Sequence, residues 1–528
     1  MHAINPKSDE SNPARHPVNG TRLASLLYCG QFILGPAFVD DLAEWQQLSI
    51  GAALRITAHP ELSLCHRSDG RRSLTLIGYL LDPERPRATD SNILDELLRN
   101  YSSIQALVNA TFRLGGRWLL IAQQGNDSFV FNDPMGLRQV FYTDKECTEG
   151  NLWVMSQAGM MAERLGLTMD PLARDYINRR LSKGHTEYMW PGSSSPFREI
   201  RHLLPNHYLD LGSGRCHRFW PNEPLVPIAF DEAMERLTKH LPQLIEAAAD
   251  RFDLVLGMTS GIDSRLVLAA SKSIRHQLSC VSVRQLRMKA DHADLVIPKD
   301  LLRQLKLPHE VILAQPQMSA AFREVYEKSI FLAHAHYGPD AEAILKHFGR
   351  TKVAVTGSGS EICRADAPVG IPFLENNPSP EFLAIWNIGG LHPFTLQHVQ
   401  TWCATAPTDC GIELLDLHEW EQGSGNWLAM TQLEFSIAWR DLFTPFNCRD
   451  VLISLLSVPK PDRASPDNLI YHALIKRLWP EVTIEPINPH KNPKKAKSLY
   501  QATKFLIRYG LARASYWVRS RLNQLFNN

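Results

Sequence analysis

The chain has little of what would place it in a specialised class. Its nine cysteines are scattered, with no C-x-x-C pair and no Cys/His spacing suited to zinc, which predicts reduced thiols and a cytoplasmic setting. No apolar run reaches the roughly 20 residues that span a membrane. Charge is nearly balanced: 56 Lys and Arg against 55 Asp and Glu give a formal net charge of +1. Bulk electrostatics therefore do not mark a nucleic-acid binder. No internal repeat is visible, and no Gly-Lys-Thr/Ser ending of a Walker loop occurs. Residues 1–20 are polar, acid-bearing and punctuated by proline, so they read as a disordered leader and not as a secretion signal.

What is present describes an ordinary globular chain. With 528 residues and 44% hydrophobic content, it is long enough for two to three domains, each with its own core. The most informative stretch is Thr259-Ser260-Gly261-Ile262-Asp263-Ser264, between the apolar run Phe252 to Met258 and the helix-like run Arg265 to Ser273. A strand, a hydroxyl- and glycine-bearing turn and a helix N-terminus together aim backbone N–H groups, hydroxyls and the positive end of a helix dipole at one anion. The spacing predicts a phosphate cradle. Further strand signals follow at Leu278 to Val283, Glu310 to Leu313 and Val353 to Thr356, with an acid-led helix starting at Asp291 or Asp294 between the first two. Such alternation predicts a doubly wound, mostly parallel sheet with ligand at the carboxyl ends of its strands. Gly357-Ser358-Gly359-Ser360-Glu361 falls at another such end. Glu361 is either a metal ligand or a cap for the next helix.

The first loop resembles the pyrophosphate loop Ser-Gly-Gly-x-Asp-Ser of ligases that split ATP between its α and β phosphates, with Thr259 and Ser260 departing from it. The second resembles the Gly-Glu-Gly-Ser-Asp-Glu loop of the asparagine synthetase family, with Glu361 where that family has a metal-binding Asp. Upstream, Asn132-Asp133-Pro134-Met135-Gly136-Leu137-Arg138-Gln139-Val140-Phe141-Tyr142 is similar to the Asp-Pro-x-Gly-x-Arg-x-x-Tyr-Tyr hairpin in that family's glutaminase half. The resemblance implies an α/β protein in which an Ntn-type, amidotransferase-like α+β domain precedes a doubly wound pyrophosphate-loop domain of the adenine nucleotide α-hydrolase type. It divides the chain into the leader 1–20, an amidotransferase-like domain 21–221, a breaker-rich linker, a synthetase-like domain 228–490 and a basic tail 491–528.

Departures from the family are as informative. Its glutaminase needs an N-terminal cysteine whose own amine serves as general base. This sequence opens Met1-His2, and the one candidate for the family's Cys-Gly opening in this part of the chain is Cys29-Gly30. Neither Arg-Gly-Pro-Asp nor Asn-Gly-Glu-x-Tyr-Asn is found. The domain is therefore expected to be a structural relic, with Cys29 a buried strand residue.

The resemblance implies ATP and Mg2+ as cofactors and an acyl-adenylate that passes to ammonia or an amine. Thr259, Ser260, Gly261, Asp263 and Ser264 would hold pyrophosphate, Asp263 and Glu361 the metal, Leu256 and Val283 the adenine, and Gly357 would lie beside the ribose. Arg265 would grip a phosphate or the acid substrate. Lys491 is the candidate for the late lysine that ring-closing relatives use, though Lys494 and Lys495 are not distinguished from it. The carboxylate, a small molecule or a peptide, stays open. Ring closure as in β-lactam synthetases and lasso-peptide cyclases, sugar-acid amidation in a polysaccharide cluster, and a nucleotide-binding scaffold remain alternatives, and a homodimer is compatible.

From Pro486 onward there is no Asp or Glu, while Lys491, Lys497, Arg508, Arg513, Arg519 and other basic residues interleave with Tyr509, Trp517 and Leu522. Two expectations stand together: an interfacial helix at a membrane surface, or a terminal helix docked on its own domain.

Overall fold

A computed structural model describes residues 23–285, 288–364, 378–386, 391–465 and 467–489, with residues 506–507, 509–511 and 513–514 of the tail. Residues 1–20 and the candidates Lys491, Lys494 and Lys495 lie outside the described residues.

Strands before residue 220 are antiparallel and form two six-stranded sheets. One runs Ile200–His202, Phe141–Thr143, Val154–Met155, Phe32–Gly35, Leu54–Ala58, Gln46–Ile50 in spatial order. The other runs Cys216–Arg218, His207–Asp210, Asp127–Asn132, Gly115–Gln124, Arg72–Leu81, Leu64–Ser68. The two-residue period of a strand explains how they stack. Along Gly115–Gln124, Leu119 and Ile121 turn inward to meet Phe32, Leu34 and Ile56 of the other sheet. Trp118, Leu120 and Ala122 turn outward, onto Ile93, Leu94 and Leu97 of the helix Asp90–Asn100.

Five parallel strands form the third sheet, in the order His309–Leu313, Ser279–Arg284, Leu254–Gly257, Val353–Val355, Asp441–Phe443. The inner strands Leu254–Gly257 and Val353–Val355 are covered on both faces, as their run of Val, Leu and Ala requires, while Val311 and Leu313 on the edge strand are exposed. Leu254, Leu256, Val353 and Val355 pack against the helices Phe230–Arg251, Ile262–Ala270 and Leu469–Leu478. Val255, Val281 and Ala354 pack against Ala320–Ser329 and Gly338–Phe348. The chain starts at the central strand, builds to one side, then returns to build the other. The point of reversal, between Leu254–Gly257 and Val353–Val355, is where such sheets open a crevice.

The Asp-Pro stretch does not close a hairpin, contrary to the expectation. Asp127–Asn132 and Phe141–Thr143 belong to different sheets, so residues 133–140 are a crossover. The buried Asp133 carboxylate turns the corner by accepting the N–H groups of Leu137 and Arg138, each at 2.8 Å. Arg117 and Arg138 then both reach Asp441 on the last parallel strand, at 3.0 and 3.1 Å. Asn447 accepts the Met135 N–H at 2.9 Å and donates to the Gly116 carbonyl at 2.7 Å. Arg449 lies among the rings of Phe112, Phe219, Trp220 and Trp420, 5.0–5.5 Å from their centroids, a cation–π enclosure. The stretch thus ties the antiparallel sheets to the parallel one.

Cys29 is buried as expected but sits in a turn ahead of Phe32–Gly35, not in a strand. Burial pushes its thiol up to about 11. Ser329 fills its surroundings: its hydroxyl accepts the Tyr28 N–H at 2.9 Å, and its carbonyl accepts Gln31 Nε2 at 2.8 Å.

Among the described tail residues, the Tyr509 ring meets Phe382 edge-on at 6.3 Å, and its hydroxyl lies 3.4 Å from Ser379 Oγ. Leu506, Ile507 and Leu511 are exposed. Among the described residues, no helix is long and apolar enough to cross a membrane.

Candidate functional site

The loop after the central strand is held by its own hydroxyls. Thr259 Oγ1 lies 3.1 Å from Ser264 Oγ and accepts the Gly261 N–H at 3.1 Å. Ser260 stands where the resembled loop has glycine, yet its φ is not left-handed, so a side chain costs no backbone strain there. That side chain finds a partner: Asp294 accepts both the Ser260 N–H at 2.9 Å and its hydroxyl at 2.6 Å. On the other side, the Ser260 carbonyl accepts the Asn488 N–H at 3.0 Å. The helix Ile262–Ala270 begins at Gly261 with no side-chain cap. Its first turn therefore offers N–H groups and the positive dipole end to a ligand.

The second loop leaves the neighbouring strand, Val353–Val355, and crosses directly over the first. A Cβ on Gly357 would fall 2.6 Å from the Asp263 carbonyl carbon and 2.7 Å from its Cβ, so only glycine allows this approach. Ser360 Oγ donates to Asp263, and Arg364 pairs with the same carboxylate at 3.1 Å. Tyr471 fixes the turn by donating to the Ser360 carbonyl at 2.9 Å. Glu361 folds back to accept the Gly359 N–H at 2.9 Å. Burial and then the nearby Asp263 charge raise its carboxyl to about 7. Two carboxylates converging with mutual repulsion suit a divalent cation that prefers oxygen ligands and shares them with phosphates.

These loops open onto a cavity of about 660 Å³, within the usual range for small-molecule sites. Thr259, Asp263, Ser264, Gly357, Ser358 and Glu361 form its polar floor. Met258, Val281, Val283 and Met288 form one wall, and Trp427, Phe435 and Trp439 another. Thr259, Asp263, Ser264, Val283, Gly357 and Glu361 are thus brought together, while Ser260 and Gly261 shape the loop beside them.

Two expected residues are not. Leu256 is fully buried in the core, packed with Leu254, Val353 and Val355; Gly257 and Met258, closer to the carboxyl end of the strand, line the cavity instead. Arg265 is also fully buried. Its guanidinium donates to the carbonyls of Val482 at 2.5 Å, Glu485 at 3.0 Å and Pro486 at 3.2 Å, and burial lowers it to about 10. Arg265 clamps the 482–486 segment; the helix directs it away from the Thr259–Ser264 loop. Asp294, Arg364 and Asn488 are the contributors that sequence reasoning missed. For Asp294 a signal existed: an acid opening a helix just beyond a strand end.

No protein-family model matches the chain, and no curated protein matches it. Among solved structures, a glutamine phosphoribosylpyrophosphate amidotransferase from B. subtilis, complexed with ADP and GMP, is similar over 58% of this chain and 66% of its own, at 12% identity and a TM-score of 0.24. A structure described as the allosteric regulatory enzyme of purine biosynthesis matches over 58% and 68%, at 13% identity and 0.23. The glutamine-dependent NAD+ synthetase from Acinetobacter baumannii, in complex with ADP, matches over 37% and 43%, at 12% identity and 0.20. The chain thus spans about two thirds of the first two and under half of the third. At these scores the likeness carries no functional argument.

Proposed function

We propose that the protein is an ATP-dependent, AMP-forming ligase of the asparagine synthetase type, which joins a carboxylate to ammonia or an amine without hydrolysing glutamine. The observation that carries this reading is the crossing of two strand-end loops, which gathers Asp263, Glu361 and an uncapped helix N-terminus at one cavity.

In the first step a carboxylate oxygen of the substrate attacks the α-phosphorus of ATP, and the bond to the bridging oxygen of the β-phosphate breaks. The electron pair leaves with pyrophosphate. Thr259, Ser264 and the N–H groups at the start of Ile262–Ala270 are disposed to receive that charge, a preorganised set of donors that need not reorient as it develops. Asp294 and Asn488 keep the loop in place from either side. In the second step an amine attacks the acyl carbon, AMP leaves and the amine loses a proton. Asp263 and Glu361 would hold magnesium, which supplies neutralisation of phosphate charge when bound. The buried, high-pKa Cys29 supports the absence of a glutaminase step, since an unionised thiol is a poor nucleophile.

Product analysis tests the reading. ATP should be consumed only with an acid present and should yield AMP and pyrophosphate; ADP and phosphate would refute it. Asp263→Asn should abolish turnover with the fold retained, because it removes charge and not volume. A variant turning over at the wild-type rate would make the loop structural.

A further inference from the structure

The cavity wall holds a carboxylate that the scheme above leaves unused. Asp340, in the first turn of Gly338–Phe348, is only 7% exposed and borders the cavity. One of its oxygens accepts Gln285 Nε2 at 2.8 Å. The other has no protein donor, and no side chain forms an ion pair with the group, among the described residues. Among the described residues His336 is the basic group whose charge acts on it, and that ring bonds Glu187 at 2.8 Å. The start of a helix favours an anion but places no proton donor on the free oxygen.

The charges around the cavity sharpen the imbalance. Among the described residues, its lining carries Asp263, Asp294, Asp340 and Glu361 against one cation, Arg364, which pairs with Asp263. Asp294 is satisfied by Ser260, and Asp263 and Glu361 are the pair suited to a metal. Asp340 is what remains: a largely buried carboxylate with no counter-charge among the described residues, an arrangement that a cation would stabilise. Burial duly pushes its carboxyl up from the usual range. Trp427 and Phe435 present aromatic surface to the same space, a further attraction for a cation.

We infer that Asp340 seats a protonated amine of the substrate, with its free oxygen accepting an N–H bond that the protein does not supply. This rests on the ligase reading above. The amine belongs either to an amino acid being adenylated or to the nucleophile, which passes one proton to the Asp340 carboxylate before its freed lone pair attacks the acyl carbon. Both sources share one chemistry.

The experiment uses the full chain and Asp340→Asn. Binding of a fluorescent ATP analogue is measured first and should be the same in both proteins. ATP–pyrophosphate exchange is then followed with the twenty free amino acids and their N-acetyl forms. AMP release is followed with ammonium chloride or methylamine as nucleophile. If the amine is on the acid, free amino acids support exchange by the wild type and N-acetyl forms do not, and Asp340→Asn raises KM for the acid by about tenfold or more. If it is on the nucleophile, exchange is unchanged and KM for ammonium or methylamine rises instead. The inference is overturned if ATP binds normally and neither KM moves, if N-acetyl acids serve as well as free ones and the nucleophile KM is also unmoved, or if no amine-bearing compound has any effect. A wild-type protein that does not bind ATP overturns the ligase reading itself. The comparison of free and acetylated acids needs no variant, so it stands even if Asp340→Asn fails to fold.

Discussion

Replacing Arg265 by methionine separates a structural clamp from a phosphate ligand. The substitution keeps most of the side-chain length and removes the guanidinium that holds the carbonyls of Val482, Glu485 and Pro486. Hydrogen bonds to a charged donor contribute about 1.5–3 kcal/mol each, but a buried guanidinium also carries a desolvation cost, here large enough to lower it to about 10. A net loss of about 2–4 kcal/mol in the local stability of residues 482–488 is therefore expected. At 1.4 kcal/mol per factor of ten, that is about a 30- to 700-fold loss of amide protection. Because the Asn488 N–H bonds the Ser260 carbonyl, the Thr259–Ser264 loop should lose protection in step. Hydrogen exchange read by mass spectrometry over both segments is the assay, with ATP affinity as companion. Unchanged protection at 482–488 together with lost ATP turnover would refute the clamp and return Arg265 to the chemistry.

Gly357→Ala must move Asp263, since the new Cβ would approach its backbone to 2.6 Å; such overpacking costs about 1–3 kcal/mol, and a variant with both melting temperature and ATP affinity unaltered would show that the loops do not meet as described. Glutamine should yield no glutamate above background, and Cys29 should resist iodoacetamide until the protein is unfolded, because burial holds its thiol near about 11; rapid native alkylation would contradict this. His202 is buried, stacks on Phe141 at 4.6 Å and bonds Asn426 at 2.7 Å, and burial lowers it to about 4. Its folded pKa lies below the unfolded value, so its contribution is complete above about pH 6.5 and is lost as pH falls toward 4, at up to about 1.4 kcal/mol per pH unit. Urea midpoints of wild type and His202→Gln should therefore converge or cross on acidification through that window; parallel curves would exclude the effect.

Much of the site was legible because the relevant signals are local. A strand, a short hydroxyl-bearing turn and a helix start in immediate succession are a local pattern, and Leu254 to Ala270 show all three. Strand alternation likewise gave the parallel sheet and put both loops at carboxyl ends. The Asp-Pro stretch was legible as a turn but not as a crossover, since Asp133 specifies only the corner. Which sheet the next strand joins is decided by Arg117, Arg138 and Asn447, whose partners lie some three hundred residues away.

Residue type and spacing alone determined the α/β class, the succession of strands and the loop chemistry, because backbone hydrogen bonding and side-chain periodicity act over a few residues. Tertiary structure alone decided where side chains point and what they meet. It turned Leu256 into the core and Arg265 onto distant carbonyls, closed Gly357 over Asp263, and left Asp340 facing a cavity with no counter-ion among the described residues. The physical reason is that burial and electrostatic pairing depend on every group packed around an atom, and those groups come from segments that are remote in the chain.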